Sequence, residues 1–204
     1  MNSLELFSGH KTFSKIAVKL GYVPFTVDVD SQLKPSHLMD ILNFDYSLFP
    51  ENFSIIWASP VCKLLSRAAA QIHFEKETIK KRVYNYKAIT SEGKESMAFV
   101  TKTFEIINHY KPSVYFIENP IGRIQHLPEF KMNGHNRYFV NYADWGFAYS
   151  KETYIFTNIM LPLPTVKSTS KSPGMRTLKN KNQRSRVPAK LIAFLLAHSN
   201  LSTK

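Results

Sequence analysis

Short apolar runs alternate with longer segments of helical periodicity along most of this chain. Runs rich in β-branched and aromatic residues predict strands at 4–7, 25–27, 54–58, 114–117, 138–142 and 153–157. Apolar residues three or four positions apart predict helices at 13–20, 63–73, 92–109 and 187–198. Because strands alternate with helices, we expect an α/β fold with a central, mostly parallel sheet flanked by helices on both sides.

Length and composition fit one globular domain over residues 1–204. The 204 residues, 44% of them hydrophobic and 21% charged, are enough for a full core. No apolar stretch is long enough to cross a bilayer, and the start of the chain lacks the pattern of a secretory signal. The single cysteine excludes an internal disulfide and a Cys-rich zinc site, and the seven histidines show no metal-ligand spacing. We expect no metal, no membrane partner and a cytoplasmic location, in a bacterium or a virus-infected cell.

The formal net charge of +12 is unevenly distributed. No acidic residue follows Glu152, and basic residues are dense at 76–94 and 165–190. Two basic tracts on one small protein favour a nucleic-acid partner, with a solvated surface as the alternative. The segment 162–182, rich in proline, serine and lysine, predicts a long loop.

Two predicted strands end at residues with reactive side chains. The run 54–58 continues into Ser59-Pro60-Val61-Cys62, and the run 114–117 continues into Glu118-Asn119-Pro120. In open α/β sheets the ligand crevice lies outside the carboxyl ends of the strands. A nucleophilic thiol and an acid are therefore expected at one site. The alternatives are a cysteine buried as a small apolar residue and a glutamate that only leads the strand into solvent.

The neighbours of these two residues support a chemical role. Lys63 and Arg67 would favour the thiolate of Cys62, which attacks carbon far better than the thiol. Pro120 restricts Asn119 to extended backbone, which would hold the carboxyl of Glu118 in place for proton donation.

A tight turn at Ser8-Gly9 joins the first predicted strand to the first helix. Such a turn brings backbone amides and a helix N-terminus close to a polar ligand group. Asp28 and Asp30 end the second strand, where an acid can accept hydrogen bonds from ribose hydroxyls. A simple connection between strand and helix is the alternative.

The ordered set of motifs resembles the cytosine-C5 DNA methyltransferases, in a short form of the kind met in viruses and bacteria. Residues 5–9 resemble the family's opening Asp-Leu-Phe-x-Gly, which lines the S-adenosylmethionine site. Residues 141–156 resemble its Asp-Tyr-Gly turn and following strand, and residues 187–191 resemble its final helix. The resemblance implies cofactor contacts from Phe7, Ser8, Gly9, Asp28, Asp30, Asp40, Ile41, Pro60, Ser185 and Val187.

Two further motifs resemble the family's catalytic loops. Residues 59–62 resemble Pro-Pro-Cys, which carries the nucleophile, and residues 117–120 resemble Glu-Asn-Val, whose glutamate grips the cytosine. The resemblance implies that Cys62, Glu118 and Lys151 are catalytic. It implies substrate contacts from Ser59, Ser66, Arg67, Lys80, Lys81, Arg82, Asn119 and Pro120.

The resemblance implies a Rossmann-like methyltransferase fold and methyl transfer to C5 of cytosine in DNA through a covalent bond between Cys62 and C6. The chain departs from the family at Lys11 and Val61, and Tyr149, Lys151 and Thr153 stand where Gln, Arg and Arg are expected. Only a basic loop lies where the target recognition domain should be.

These departures leave three alternatives open. One is a methyltransferase-fold nucleic-acid-binding protein without activity, and another is a catalytic subunit that needs a protein partner for target recognition. The third is methylation of RNA or a free nucleotide, although one cysteine argues against the main bacterial type of RNA enzyme, which uses two.

Overall fold

The computed structural model describes residues 1–61, 64–65, 70–80, 83–122, 124–127, 129–130, 135–163 and 185–199, with side chains described for all of these except 70–71, 79–80 and 83–85. The strands are β1 (Asn2–Leu6), β2 (Val23–Asp28), β3 (His37–Leu38), β4 (Ile55–Ala58), β5 (Phe74–Lys80), β6 (Val83–Ala88), β7 (Val114–Pro120), β8 (Asn136–Asn141) and β9 (Glu152–Thr157). The helices are α1 (Thr12–Lys19), α2 (Ala70–His73), α3 (Ser91–Tyr110) and α4 (Ala189–Ser199).

Seven of the strands form one central sheet, in the spatial order β3-β2-β1-β4-β7-β9-β8. The first five strands in this order are parallel to one another. Strand β9 runs antiparallel to both of its neighbours, β7 and β8. This mostly parallel sheet confirms the predicted α/β fold.

Apolar side chains cover both faces of the sheet. On one face, Leu4, Ile56 and Ile117 pack with the buried side of α3, which includes Val100 and Phe104. On the other face, residues of β4, β7 and β9 pack with α1 and α4. Because strand side chains alternate between faces, one strand serves both cores.

Residues at the end of α1 and at the start of α3 have the conformations and hydrogen bonds that are typical of helix ends. Helix α1 ends before Gly21, which has φ +83°, the left-handed conformation in which glycine is favoured at a helix C-terminus. Helix α3 begins after Thr90, whose Oγ1 accepts a hydrogen bond from the backbone N–H of Gly93 at 3.1 Å. None of the described helices is long and apolar enough to cross a membrane.

Two parts of the structure differ from the sequence-based expectation. Among the described residues of the predicted helix 63–73, residues 64–65 form a turn and α2 covers 70–73. The basic segment that follows is a hairpin of β5 and β6, with Phe74 opposite Ala88. The mixture of aromatic, β-branched and polar residues over 74–88 fits a half-exposed hairpin, a pattern that the charge of the segment obscures.

The second difference is that β7 continues to Pro120 instead of ending at Ile117. Glu118 pairs with Ile155 and Pro120 pairs with Thr153, so β9 extends the hydrogen-bonded ladder past the apolar run. Glu118 therefore lies inside a strand, where its backbone is fixed.

Candidate active site

A cavity of about 610 Å³ opens at the carboxyl ends of β1, β4 and β7. This volume is within the range of small-molecule sites in proteins. Its walls combine apolar side chains with two carboxylates, a lysine and a histidine. The lining residues are Glu5, Phe7, Ser8, Gly9, His10, Thr12, Phe13, Trp57, Ser59, Pro60, Val61, Glu118, Pro120, Lys151, Ser185, Val187 and Ile192.

The turn after β1 supplies one wall of the cavity. Phe7 and Gly9 both have left-handed backbone, with φ of 55° and 47°, which folds the chain sharply before α1. The Gly9 N–H donates to Asp28 Oδ2 at 2.8 Å, and the Lys11 N–H donates to the Ser8 carbonyl at 2.7 Å. Ser8 Oγ is buried and has no hydrogen-bond partner among the described residues. Phe7, Ser8 and Gly9 thus lie together where the sequence predicts a cofactor.

Glu5 is a buried acid at the base of this wall. Its two carboxylate oxygens accept hydrogen bonds from the backbone N–H groups of Phe13 and Ser14, at 3.3 and 3.0 Å. It therefore satisfies amides at the N-terminus of α1, since Lys11 makes no side-chain cap. Burial raises the pKa of Glu5 from 4.5 to about 7, against the opposing effect of those hydrogen bonds.

The loop after β4 supplies another part of the wall. The Trp57 indole donates from Nε1 to Ser59 Oγ at 3.0 Å, and the Ser59 N–H donates to the Leu6 carbonyl at 3.3 Å. Pro60 and Val61 follow on the cavity wall. Cys62, the next residue in the chain, lies outside the described residues, as do Ser66, Arg67, Lys81 and Arg82; the side chain of Lys80 is also outside them.

Glu118 and Asn119 are consecutive residues of β7 with different contacts. Glu118 lies on the cavity wall, whereas the adjacent Asn119 is 1% exposed and donates from Nδ2 to the Pro60 carbonyl at 3.0 Å. Asn119, predicted to contact substrate, thus clamps the loop that leads to Cys62. Pro120 lies on the cavity wall as well.

The carboxylate of Glu118 is held by two residues from the other side of the site. Tyr142 donates its hydroxyl to Glu118 Oε1 at 2.7 Å, and Lys151 Nζ lies 3.4 Å from the same oxygen. The Lys151 ammonium also lies 4.7 Å from the centre of the Tyr142 ring. Glu118 and Lys151 are 4% and 7% exposed, so this is a buried ion pair, and Tyr142 contacts both of its members.

The predicted acids near the cofactor have different positions. Asp28 touches the cavity wall through Gly9, and its Oδ1 accepts a hydrogen bond from the Asp30 N–H at 3.0 Å. Asp30 and Asp40 each accept a hydrogen bond from the backbone two residues on, at 2.9 Å, and so start short 3₁₀ turns. Ile41 is buried in the core. Asp30, Asp40 and Ile41 are not on the cavity wall.

The start of α4 returns to the cavity, as the resemblance implies. Ser185 and Val187, just before α4, lie on its wall. Burial lowers the pKa of the nearby His10, and the charges of Arg186 and Lys15 act in the same direction. His10 is therefore expected to be neutral at pH 7. Burial also raises the pKa of Tyr149, one of the substituted motif residues.

Three site residues escaped prediction from the sequence. The sequence places Glu5 in a motif, but it does not indicate that the carboxyl of Glu5 is buried. Tyr142 and His10 look like ordinary strand-end and turn residues, and only folding brings His10 to the cavity wall and the Tyr142 hydroxyl to Glu118. Within the described ranges, no group of three or more His, Cys, Asp or Glu side chains is placed to hold a metal ion.

Replacing Glu5 by Gln should flatten the pH dependence of stability. Because the folded pKa of about 7 exceeds the ordinary 4.5, the folded protein binds this proton more tightly than the unfolded chain. The resulting stabilisation is complete below pH 4.5 and is lost as pH rises through 7, on the order of 3 kcal/mol. Urea unfolding at a series of pH values measures it, with the exposed Glu51→Gln as control. Equal slopes for Glu5→Gln and the wild type would contradict the assignment.

Replacing Lys151 by Met should destabilise the fold by about 3 kcal/mol, because it leaves the Glu118 carboxylate buried without its counter-ion. The matched control is Lys102→Met, which removes a closer ion pair, at 3.1 Å to Glu105, whose side chains are 20% and 55% exposed. The control should lose less than about 1 kcal/mol. Adding Glu118→Gln to Lys151→Met should recover most of the loss. Urea unfolding that finds both lysine variants equally harmless would refute the buried pair.

Comparison with known proteins adds a relative and a set of similar folds. The chain is 29% identical over 168 residues to a probable DNA (cytosine-5)-methyltransferase of Frog virus 3 (isolate Goorha), covering 78% of this chain and 71% of the relative. No family model matches the chain.

Solved structures support the fold. The Entamoeba histolytica methyltransferase EhMeth is similar with a TM-score of 0.54 and 15% identity, over 83% of this chain and 57% of that one. The S. pombe Dnmt2 methyltransferase is similar with a TM-score of 0.50 and 18% identity, over 77% of this chain and 50% of that one. The chain thus spans about half the length of these structures. The similarity to the viral protein confirms the resemblance to the cytosine-C5 DNA methyltransferases that the ordered motifs predict, and the solved structures are similar to this chain in fold.

Proposed function

We propose that the protein transfers a methyl group from S-adenosylmethionine to C5 of cytosine in DNA. One observation carries the proposal. Val61, the neighbour of Cys62, and Glu118 lie on the wall of one cavity, and the turn formed by Phe7, Ser8 and Gly9 lies on the wall of the same cavity. An acid and a cofactor turn on one cavity wall, with the nucleophile next in the sequence to a third wall residue, match what cytosine methylation needs.

The described residues fit the cofactor. The cavity has the volume of a small-molecule site, and the buried Ser8 Oγ has no described partner, so it is available to a polar ligand. Glu5 and Glu118 give the walls acidic groups that suit a cation. Phe7, Gly9, Pro60 and Val187 would hold the cofactor, with Asp28 supporting the turn from behind. Asp30, Asp40 and Ile41 remain predictions as cofactor contacts.

S-adenosylmethionine, when bound, supplies the methyl group as an electrophile on a positively charged sulfur. The carbon at C5 of cytosine is too weak a nucleophile to take that group unaided. The thiolate of Cys62 overcomes this by adding to C6, which breaks the conjugation of the ring and makes C5 electron-rich. After C5 has been methylated, loss of its proton lets the Cys62 sulfur leave C6.

Glu118 stabilises the ring during the addition. The sulfur electron pair forms the bond to C6 while the π electrons of the ring shift toward N3, and the protonated Glu118 carboxyl donates a hydrogen bond or its proton to N3, which offsets the negative charge there. The carboxyl is oriented for this donation because β7 fixes the backbone of Glu118 and because Tyr142 and Lys151 contact its Oε1. Asn119 contributes by holding the carbonyl of Pro60, two residues before the nucleophile.

DNA contacts are proposed for the β5–β6 hairpin. In the sequence, Lys81 and Arg82 stand between these two strands, directly after Lys80, so the most basic tripeptide of the segment joins β5 to β6. The ring of Tyr86 lies 5.4 Å from that of His126, which places the base of the hairpin beside the segment that follows β7. Phosphate contacts there would help to offset the cost of flipping the base.

A protein partner for target recognition is part of the proposal. Residues 158–188 connect β9 to α4, and in the family that this chain resembles the recognition domain occupies this position. The hairpin and a partner would then share the task of selecting DNA.

The test is tritium transfer from labelled S-adenosylmethionine to cytosine-containing DNA. We expect incorporation by the wild type, and a loss of at least about 100-fold for Cys62→Ala and Glu118→Gln, since each removes a group acting on the reacting ring. Incorporation should fall steeply with salt for DNA because phosphate contacts release counterions.

Matched outcomes separate the alternatives. Equal incorporation by Cys62→Ala would refute the covalent route. Salt-insensitive methylation of dCMP would favour a free nucleotide as substrate, and methylation of RNA in preference to DNA would favour an RNA enzyme. Binding of DNA without any transfer, even after a second polypeptide is supplied, would favour the inactive binding protein.

A further inference from the structure

We infer that Tyr142 is a positioning residue for catalysis, which sets the orientation of the Glu118 carboxylate and seats the ammonium of Lys151. The inference rests on the proposed function and names a residue that the catalytic motifs do not include. Tyr142 is 0% exposed, and its hydroxyl donates to Glu118 Oε1 at 2.7 Å. A buried hydrogen bond of this length to a carboxylate belongs to the strong class.

The tyrosine is the closer of the two partners of Glu118. Lys151 Nζ lies 3.4 Å from Oε1, longer than an ordinary charged hydrogen bond, whereas the Tyr142 oxygen lies at 2.7 Å. The ammonium also lies 4.7 Å from the centre of the tyrosine ring, so the aromatic face supports its position. One side chain therefore contacts both members of the ion pair.

The two contacts leave one carboxylate oxygen for the base. Both Tyr142 and Lys151 reach Oε1, and no described residue makes a hydrogen bond to Oε2. With one oxygen fixed, the carboxylate plane cannot rotate freely, and Oε2 remains the acceptor or donor that a cytosine can engage. Because the carboxylate is already oriented before the substrate binds, less conformational entropy is lost in reaching the transition state.

Tyr142 is itself held rigidly. Its N–H donates to the Lys151 carbonyl at 3.1 Å, and its own carbonyl accepts from the Phe147 N–H at 3.2 Å. Its ring packs edge-on against that of Phe147, with centres 5.6 Å apart. Asn141, the preceding residue, accepts a hydrogen bond from the Lys151 N–H at 3.2 Å. Tyr142 and Lys151 are thus tied together through their backbones as well as at Glu118.

Replacing Tyr142 by Phe removes the hydroxyl and keeps the ring beneath Lys151. We expect kcat for methyl transfer to fall roughly 10- to 100-fold, the loss typical of one hydrogen bond to a charged group. The KM values for DNA and cofactor should stay within about twofold, because the orientation of Glu118 matters most in the transition state.

The control is Tyr115→Phe. Tyr115 is a buried tyrosine of the same strand as Glu118, and it packs on the opposite face of the sheet, where its hydroxyl contacts His135. Like Tyr142→Phe, this variant loses one tyrosine hydroxyl, so the melting temperatures of the two variants can be compared directly. The kcat of Tyr115→Phe should equal that of the wild type.

A second pair of variants separates positioning from general support. In a Glu118→Gln background, adding Tyr142→Phe should lower the residual rate by less than about twofold, because the tyrosine acts through the carboxylate. Full additivity of the two losses would overturn the inference, as would a Tyr142→Phe enzyme as active as Tyr115→Phe. A wild-type protein that transfers no methyl group would instead overturn the proposed function, and the inference with it.

Discussion

The requirement that the buried Glu118 carboxylate be paired determines how the catalytic end of this protein is built. A charge removed from water is tolerated only when hydrogen bonds and an opposite charge replace the lost hydration. Here both come from the β8–β9 side of the sheet, in Tyr142 and Lys151. They reach Glu118 because β9 pairs antiparallel with β7 and extends that strand to Pro120. The antiparallel strand is thus what makes a buried acid possible at this position.

The alternation of side chains along β7 connects this acid to the nucleophile loop. Glu118 faces the cavity, and Asn119, on the other face, holds the carbonyl of Pro60. A second acid, Glu5, links β1 to the first turn of α1 in a similar way, through the amides of Phe13 and Ser14. Polar side chains of β7 and β1 therefore fix the loop after β4 and the start of α1 to the sheet. Such support orients the cavity walls before a ligand binds.

The sequence predicts the sheet and the helices well where apolar periodicity is strong, as in α3 and α4. It also predicts that Glu118 and the loop before Cys62 share one edge, because both follow β-prone runs. The sequence does not predict the structure correctly where the pairing of a strand with its neighbour decides the bounds of the strand. Strand β7 extends beyond its apolar run because β9 continues beside it. The charged segment 74–88 forms a hairpin because its two halves pair with each other. Tyr142 could not be found in advance, since its role comes from a tertiary contact with a residue 24 positions away.

The central claim is that Glu118 and the sulfur of Cys62 act on one cytosine. Its most direct test is mass spectrometry of the protein incubated with S-adenosylmethionine and DNA that contains 5-fluorocytosine. Fluorine at C5 cannot leave as the proton does, so the bond between sulfur and C6 persists. The account predicts a denaturation-resistant complex of protein, DNA and one added methyl group, joined at Cys62 and much reduced in Glu118→Gln. A complex joined elsewhere, or an equal yield from Cys62→Ala, would contradict it.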